Sequence, residues 1–572
     1  MGNDVFRKAP DEKSLPVKRR DDPPAFPPTR RNVLKRGLGL AAALAAGGVS
    51  RTALADSGAA LSADEKALRS AIVKIPGLGR SSPADADWRK VGGLCLGGTR
   101  AHIHKDAFRG IQLTFLGLTG QGSHNPLLRG FLKPWEDYTG AAINWINLAQ
   151  ADYYPRLQRA IANGAPDFDM LEMGAPFEGD VCAKGLLSEM PDWVGKQIDI
   201  DDYAACFKPP VGGWNGKTYR VAIDGDCHIF NFRRDCFADD ALAKAWKAAG
   251  NDSAWAAPKT WREVQAVTKF LAGQTLGGSS AHGYLDICAP WGGFAFYFLA
   301  SRASAYAKHP GDKAWLFDID TMKPRINNPA FVRAIQDVLD VLPYEPQNQI
   351  NADPNQAGFA QFLGGAGSML AWWGDVGQAS ATDKETAAGG KVGFSILPGS
   401  EDVYNSRTGS WEKLPGGPNH SPNIAYIGWG IYVTARVDGD SRKHKAAWSA
   451  AAHLGGKDLA LWTAVYPTGY HAYRNSQYGV SEWTAAGYDE AFAKAYLEAQ
   501  SASCNHPNAA IEPRIPGLFQ YYALAEDGLA NIYAGKISAQ DGADAIAANW
   551  EELTDQIGRE NQIRLYKASL GL

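Results

Sequence analysis

The sequence predicts an α/β protein whose first part is built on a parallel sheet. Two observations carry this. Three short apolar segments, 111–116, 143–148 and 169–173, alternate with helical stretches at 126–138 and 153–163. Parallel strands joined by helical crossovers require that order. The first strand also runs into a loop of Gly, Ser and Asn at 117–125, a turn composition at a strand's carboxyl end.

Ahead of these elements, Thr29-Arg30-Arg31-Asn32-Val33-Leu34-Lys35 precedes a short Ala/Leu-rich run that closes on Ala53-Leu54-Ala55. Paired arginines, a weakly apolar run and a small-x-small end resemble a twin-arginine export signal cut near Ala55–Asp56. Residues 1–55 are therefore set aside as leader, and 56–108 as an N-terminal extension: a helix at about 61–73 and a Gly-rich linker. The run is too short for a stable membrane span.

After the third strand, residues 220–232 read as two strand halves joined by a break at Gly225. Thr260 and Glu263 form an expected capping box opening a helix. Short strands follow at 368–373, 392–398 and 424–433, the last interrupted by Gly428 and Gly430. The final third is helical at 489–499, 517–535 and 539–558, leaving 561–572 as a tail.

A net charge of −3 argues against a nucleic-acid-binding surface. Seven cysteines without zinc-type spacing predict no metal site, and their odd count leaves at least one thiol over. No cofactor motif is present. With 18 tryptophans the chain has more indole than packing requires, and polar–aromatic surfaces suit sugar-like ligands.

Several segments, in order, resemble the extracellular solute-binding proteins of ABC importers, the maltose-binding-like carbohydrate branch. Trp214-Asn215-Gly216-Lys217-Thr218-Tyr219 leads to Asp224-Gly225-Asp226 and Ile229-Phe230-Asn231-Phe232. Pro258-Lys259-Thr260-Trp261, Gly367-Ser368-Met369-Leu370-Ala371-Trp372-Trp373 and Pro513-Arg514-Ile515-Pro516 follow. The resemblance implies a two-lobed periplasmic binding protein fold of type II, with an interlobe ligand cleft and crossing hinge strands. Lobe I would hold 109–223 and 428–475, and lobe II 229–424 and 480–560. It further implies a periplasmic monomer that captures a sugar or polyol and hands it to permease subunits in the inner membrane, without catalysis.

Aromatic platforms for the C–H face of a sugar are expected among Trp291, Trp372, Trp373, Trp429 and Tyr522. Trp372 and Trp373 are adjacent, so strand alternation lets one face the cleft while the other is core. Hydroxyl partners are expected from Gln121, Ser123, His124 and Asn125 in the first loop, or that loop is a solvated turn. Glu172 ends a buried strand, where either a ligand or a protein group partners it. Asp224 and Asp226 lie at the implied hinge, with Asp286 and Asp375 as weaker choices. His471 and Arg474 lie where the family returns between lobes, and Arg474 either forks ligand hydroxyls or holds the lobe interface. A cation such as a polyamine is the alternative ligand, since carboxylates with indoles form a cationic cage. A glycosidase, needing two carboxyls roughly 5 to 9 Å apart, is the remaining reading.

Overall fold

In the computed structural model, residues 85–119, 125–465 and 469–572 are described. The expected leader, the expected helix near 61–73, and Gln121, Ser123 and His124 lie outside them.

Strands β1 (Gln112–Thr119), β2 (Ala142–Ala149) and β3 (Met170–Gly174) pair in parallel, with Phe115 opposite both Trp145 and Met170. The expected parallel core is therefore present. Two later strands complete this sheet: β4 (Arg220–Ala222) and β8 (Trp429–Val433), in the spatial order β2-β1-β3-β8-β4. Strand β8 runs antiparallel, setting Ile431 between Glu172 and Val221. All five strands come from segments 109–223 and 428–475.

The second sheet is small and antiparallel. Strand β5 (Ile229–Arg233) lies between β6 (Met369–Trp372) and β7 (Val392–Ser395), with Phe230 opposite Ala371 and Ser395. Helix α3 (Phe294–Ala307) reaches this sheet through Phe298, whose ring stacks on Trp372 at 5.1 Å; the helix is apolar almost all round and buried from Ala295 to Ala307. A helix with that pattern belongs inside a lobe. The Thr260–Glu263 capping box forms as expected and opens the helix Trp261–Leu271.

Three connections cross between the lobes with no room to spare. A Cβ on Gly225 would lie 2.3 Å from the Ala472 carbonyl oxygen, and one on Gly428 would lie 2.0 Å from that of Asp224. Tyr426, Ile427 and Gly428 all take left-handed backbone, φ 71°, 46° and 74°. That run breaks the expected 424–433 strand into Asn423–Ile424 and β8. Backbone approaching this closely demands glycine.

Three expectations change. The segment read as a linker contains helix α1 (Asp85–Leu94), packed on α2 (Asn125–Thr139). Small residues bring the two helices together: a Cβ on Gly92 would lie 2.4 Å from the Phe131 carbonyl oxygen, and one on Gly130 2.3 Å from Trp88 Cβ. Residues 561–572 are no tail; most belong to α5 (Arg559–Ser569), which packs on Glu178–Ala183 of the first lobe. Tryptophan is mostly structural: Trp135, Trp261, Trp315, Trp448, Trp483 and Trp550 rank among the largest fully buried side chains. Sequence counts indoles but cannot see which ones a lobe interior consumes.

Candidate functional site

The crossing segments meet at a buried ionic knot. Asp224 and Asp226 leave β4 in extended loop, and His471 arrives from the return crossing. The His471 backbone N–H donates to Asp224 Oδ1 at 2.6 Å. Its ring Nδ1 donates to Asp226 Oδ1 at 3.1 Å and lies 3.2 Å from Asp224 Oδ1. Burial alone would lower the imidazole pKa, but the two carboxylates outweigh it and raise it to about 10. The ring is an imidazolium held between two anions. One potential ligand atom from each residue falls within 4.8 Å of the others, a spacing a metal could also use.

Beside the knot lies an aromatic wall with one carboxylate in it. Tyr426, at the turn of the second crossing, packs against Trp429 with ring centroids 5.4 Å apart and planes tilted by 34°, and approaches Tyr297 at 6.3 Å. Its hydroxyl lies 3.3 Å from that of Tyr154 on the first lobe. Glu512 accepts from the Tyr426 backbone N–H at 3.0 Å and from the Tyr522 hydroxyl at 2.8 Å. Burial raises the Glu512 pKa to about 7, against the lowering effect of the Tyr297 and Tyr522 hydroxyls facing it. This carboxyl therefore changes charge near neutrality. A Cβ on Gly174 would strike the Tyr426 ring at 2.3 Å, so the end of β3 is shaped to admit that ring.

The expected residues divide between wall, knot and frame. Trp429 and Tyr522 stand in the wall, and Trp291 flanks it, its backbone N–H bonded to Glu526 at 3.0 Å. The indole Nε1 of Trp291 has no partner among the described residues. Glu172 is buried on β3, and the Tyr153 hydroxyl donates to its backbone carbonyl. Asn125 opens helix α2.

Trp372 and Trp373 do not face opposite ways. Their rings meet edge-on at 5.6 Å and both contact Phe298, because β6 ends at Trp372 and alternation ends with it. Trp373 donates from Nε1 to the Ala425 carbonyl at 3.2 Å, which ties it to the second crossing.

Of the two roles open to Arg474, its contacts are those of the frame. It is fully buried, donates to the Gly455 and Asp199 carbonyls at 2.6 and 3.1 Å, and stacks on Tyr203 and Tyr473. Asp286 is likewise structural, bound by Arg302 at 2.7 Å. Asp224 and Asp226 both converge on the His471 ring, at 3.2 and 3.1 Å.

Sequence reasoning misses Tyr154, Tyr297, Tyr426 and Glu512. In the sequence Tyr154 reads only as half of the adjacent pair Tyr153-Tyr154, with no metal-ligand cluster around it. The signal for Tyr426 is its place two residues before Gly428 at a crossing. Nothing local marks Glu512, since it joins the wall only through the return of the chain after Ala510–Ile511.

The sequence profile of the bacterial extracellular solute-binding proteins matches residues 131–449, more than half of the chain. The chain belongs to that family. This solute-binding protein is 24% identical over 352 residues to a probable amino-acid ABC transporter periplasmic-binding protein of Sinorhizobium fredii, covering 58% of this chain and 72% of the relative. Its fold is similar to that of an ABC transporter solute-binding protein from Agrobacterium radiobacter K84 in complex with ribitol. There the TM-score is 0.57 at 18% identity, over 78% of this chain and 99% of that one. Maltose-bound MalE3 of T. maritima gives 0.56 at 17%, over 78% and 100%. A protein from Agrobacterium vitis S4 with bound D-mannitol gives 0.55 at 16%, over 78% and 99%. The two-lobed binding-protein fold expected from sequence is thus the fold of this chain.

Proposed function

We propose that this protein captures a neutral polyhydroxylated solute, a sugar or polyol, between its lobes and delivers it to the permease of an ABC importer. The observation that carries the reading is the wall at the crossing. Tyr426 and Trp429 offer flat faces to C–H groups, and Glu512 with the tyrosine hydroxyls offers acceptors and donors to hydroxyls. The ligands named for the similar folds, ribitol, maltose and D-mannitol, are of that chemical kind.

Solute binds by bridging wall groups from both lobes, which shifts an open–closed equilibrium about the crossings. No bond in the solute changes. The protein works as a monomer in the periplasm, exported by the twin-arginine leader and cut near Ala55–Asp56. Trp291, Trp429 and Tyr522 are the binding residues retained from the sequence, joined by the first-loop group Gln121, Ser123, His124 and Asn125, by Glu172, and by Trp373 at the edge. Asp224, Asp226 and His471 set the hinge beneath them.

A second reading has its own support. The curated relative is named for amino acids, and buried carboxyls beside tyrosines also suit an ammonium group. A thermal-shift screen against monosaccharides, polyols, oligosaccharides, amino acids and polyamines separates the two, because a tight ligand raises the melting temperature by mass action. Stabilisation by sugars or polyols supports the proposal. Stabilisation by amino acids or polyamines alone rejects it.

A further inference from the structure

Three of the seven cysteines, Cys206, Cys227 and Cys504, gather where the lobes join, in a cluster that solute capture does not use. Cys227 follows Asp226 in the first crossing. Cys504 is the last residue of helix α4 (Glu490–Cys504), which packs on β5 and β7 of the second lobe. Cys206 belongs to the first lobe, and its backbone N–H donates to the Cys504 carbonyl at 3.0 Å. The sulfurs of Cys227 and Cys504 are 3.4 Å apart, and both residues are buried.

We propose that Cys227 and Cys504 form a redox site, a dithiol that a disulfide donor outside the cytoplasm converts to a disulfide tying the first crossing to helix α4. The sulfurs need to close by little more than an ångström to reach a bond of about 2.05 Å. Extracellular binding proteins work where such bonds persist. In the proposal Cys504 attacks first, since its sulfur lies beside Cys227 and its backbone beside Cys206. Hydrogen bonds from Cys206 and Cys227 hold its thiol well below the usual range, against the opposing effect of burial. The Cys227 thiol is raised, by its hydrogen bond to Cys504 and by burial.

Chemically, the Cys504 thiolate attacks one sulfur of the donor disulfide and expels a donor thiolate. The Cys227 sulfur, giving up its proton, then displaces the second donor thiolate from that mixed disulfide. Two protein thiols become one disulfide, and one donor disulfide becomes two thiols. The sequence separation, 277 residues between positions 227 and 504, hides this pair from any reading of spacing.

The test treats purified native protein with diamide, a small oxidant that takes up the two hydrogens. Denaturation and alkylation follow, with mass spectrometry. The expected result is five alkylated cysteines instead of seven (7 − 2), with a Cys227–Cys504 linked peptide that dithiothreitol abolishes. Seven alkylated cysteines overturn the proposal, and so does a bond mapped to Cys206–Cys504 or any other pair. In Cys227→Ser the linked peptide disappears, whereas in Cys95→Ser it persists. Peptide mapping of the unsubstituted protein decides the pairing even where a variant fails to fold.

Discussion

Two histidines stand on either side of Asp226, both sealed from water, and their pKa values move in opposite directions. His471 lies between two carboxylates and keeps its proton up to about pH 10. His228 stacks on Phe298 at 4.8 Å, meets Trp373 edge-on at 4.3 Å and places Nδ1 2.6 Å from the Ser301 hydroxyl. Burial lowers its pKa to about 3 against the pull of Asp226. Equal burial therefore produces a cation on the hinge side and a neutral ring in the aromatic core of the second lobe. What differs is whether two anions are aimed at the ring.

Breaking the knot gives the largest expected effect. Asp224→Ala leaves His471 a buried cation short of one partner, and stability falls by about 3–5 kcal/mol, read by urea unfolding. Trp373→Ala on the neutral side removes ring contacts and a hydrogen bond, for about 3–5 kcal/mol of packing loss, but leaves the alkaline limb set by His471 unaltered. Similar totals with different pH behaviour would sharpen the contrast. Equal pH behaviour in both variants would erase it.

Next in size is the pH response itself. The folded His471 pKa lies above its unfolded value, so its stabilisation is complete below pH 6.5 and is lost as pH rises toward about 10. The slope approaches about 1.4 kcal/mol per pH unit. His228 works in the other direction: its folded pKa is depressed, so stability is lost as pH falls from 6.5 toward about 3. His471→Gln should flatten the alkaline limb and His228→Phe the acid limb, in denaturant titrations across pH. A variant that flattens the wrong limb refutes the assignment.

Gly428→Ala forces a Cβ against the Asp224 carbonyl at a left-handed φ of 74°. It should cost about 1–3 kcal/mol and weaken solute binding as well, since the crossings move. The smallest effect belongs to the wall. Trp429→Ala lowers solute affinity about tenfold at the upper end of an aromatic contact's worth, while Trp372→Phe, behind the wall, leaves affinity unchanged by calorimetry.

Much of the frame could be read without coordinates. The period of β1 to β3, the break at Gly225 and the Thr260–Glu263 cap are local signals, and local signals fold locally. Asp224, Asp226 and His471 were each visible as candidates at crossings. Their shared imidazolium was not, because 245 residues separate Asp226 from His471 and only the packed crossings bring them together. The same limit left Arg474 open between ligand and lobe interface, because its partners are backbone carbonyls that no side-chain pattern announces.

By itself, the sequence determined the strand–helix alternation, the glycines where chains must touch, and the acids and aromatics available near the junction. The tertiary structure decided their employment: which indoles fill lobe interiors, which carboxylate meets a cation, and which one, Glu512, is left among tyrosines. The physical reason is that charge state and contact depend on neighbours in space, and at an interlobe crossing those neighbours come from segments far apart in the chain.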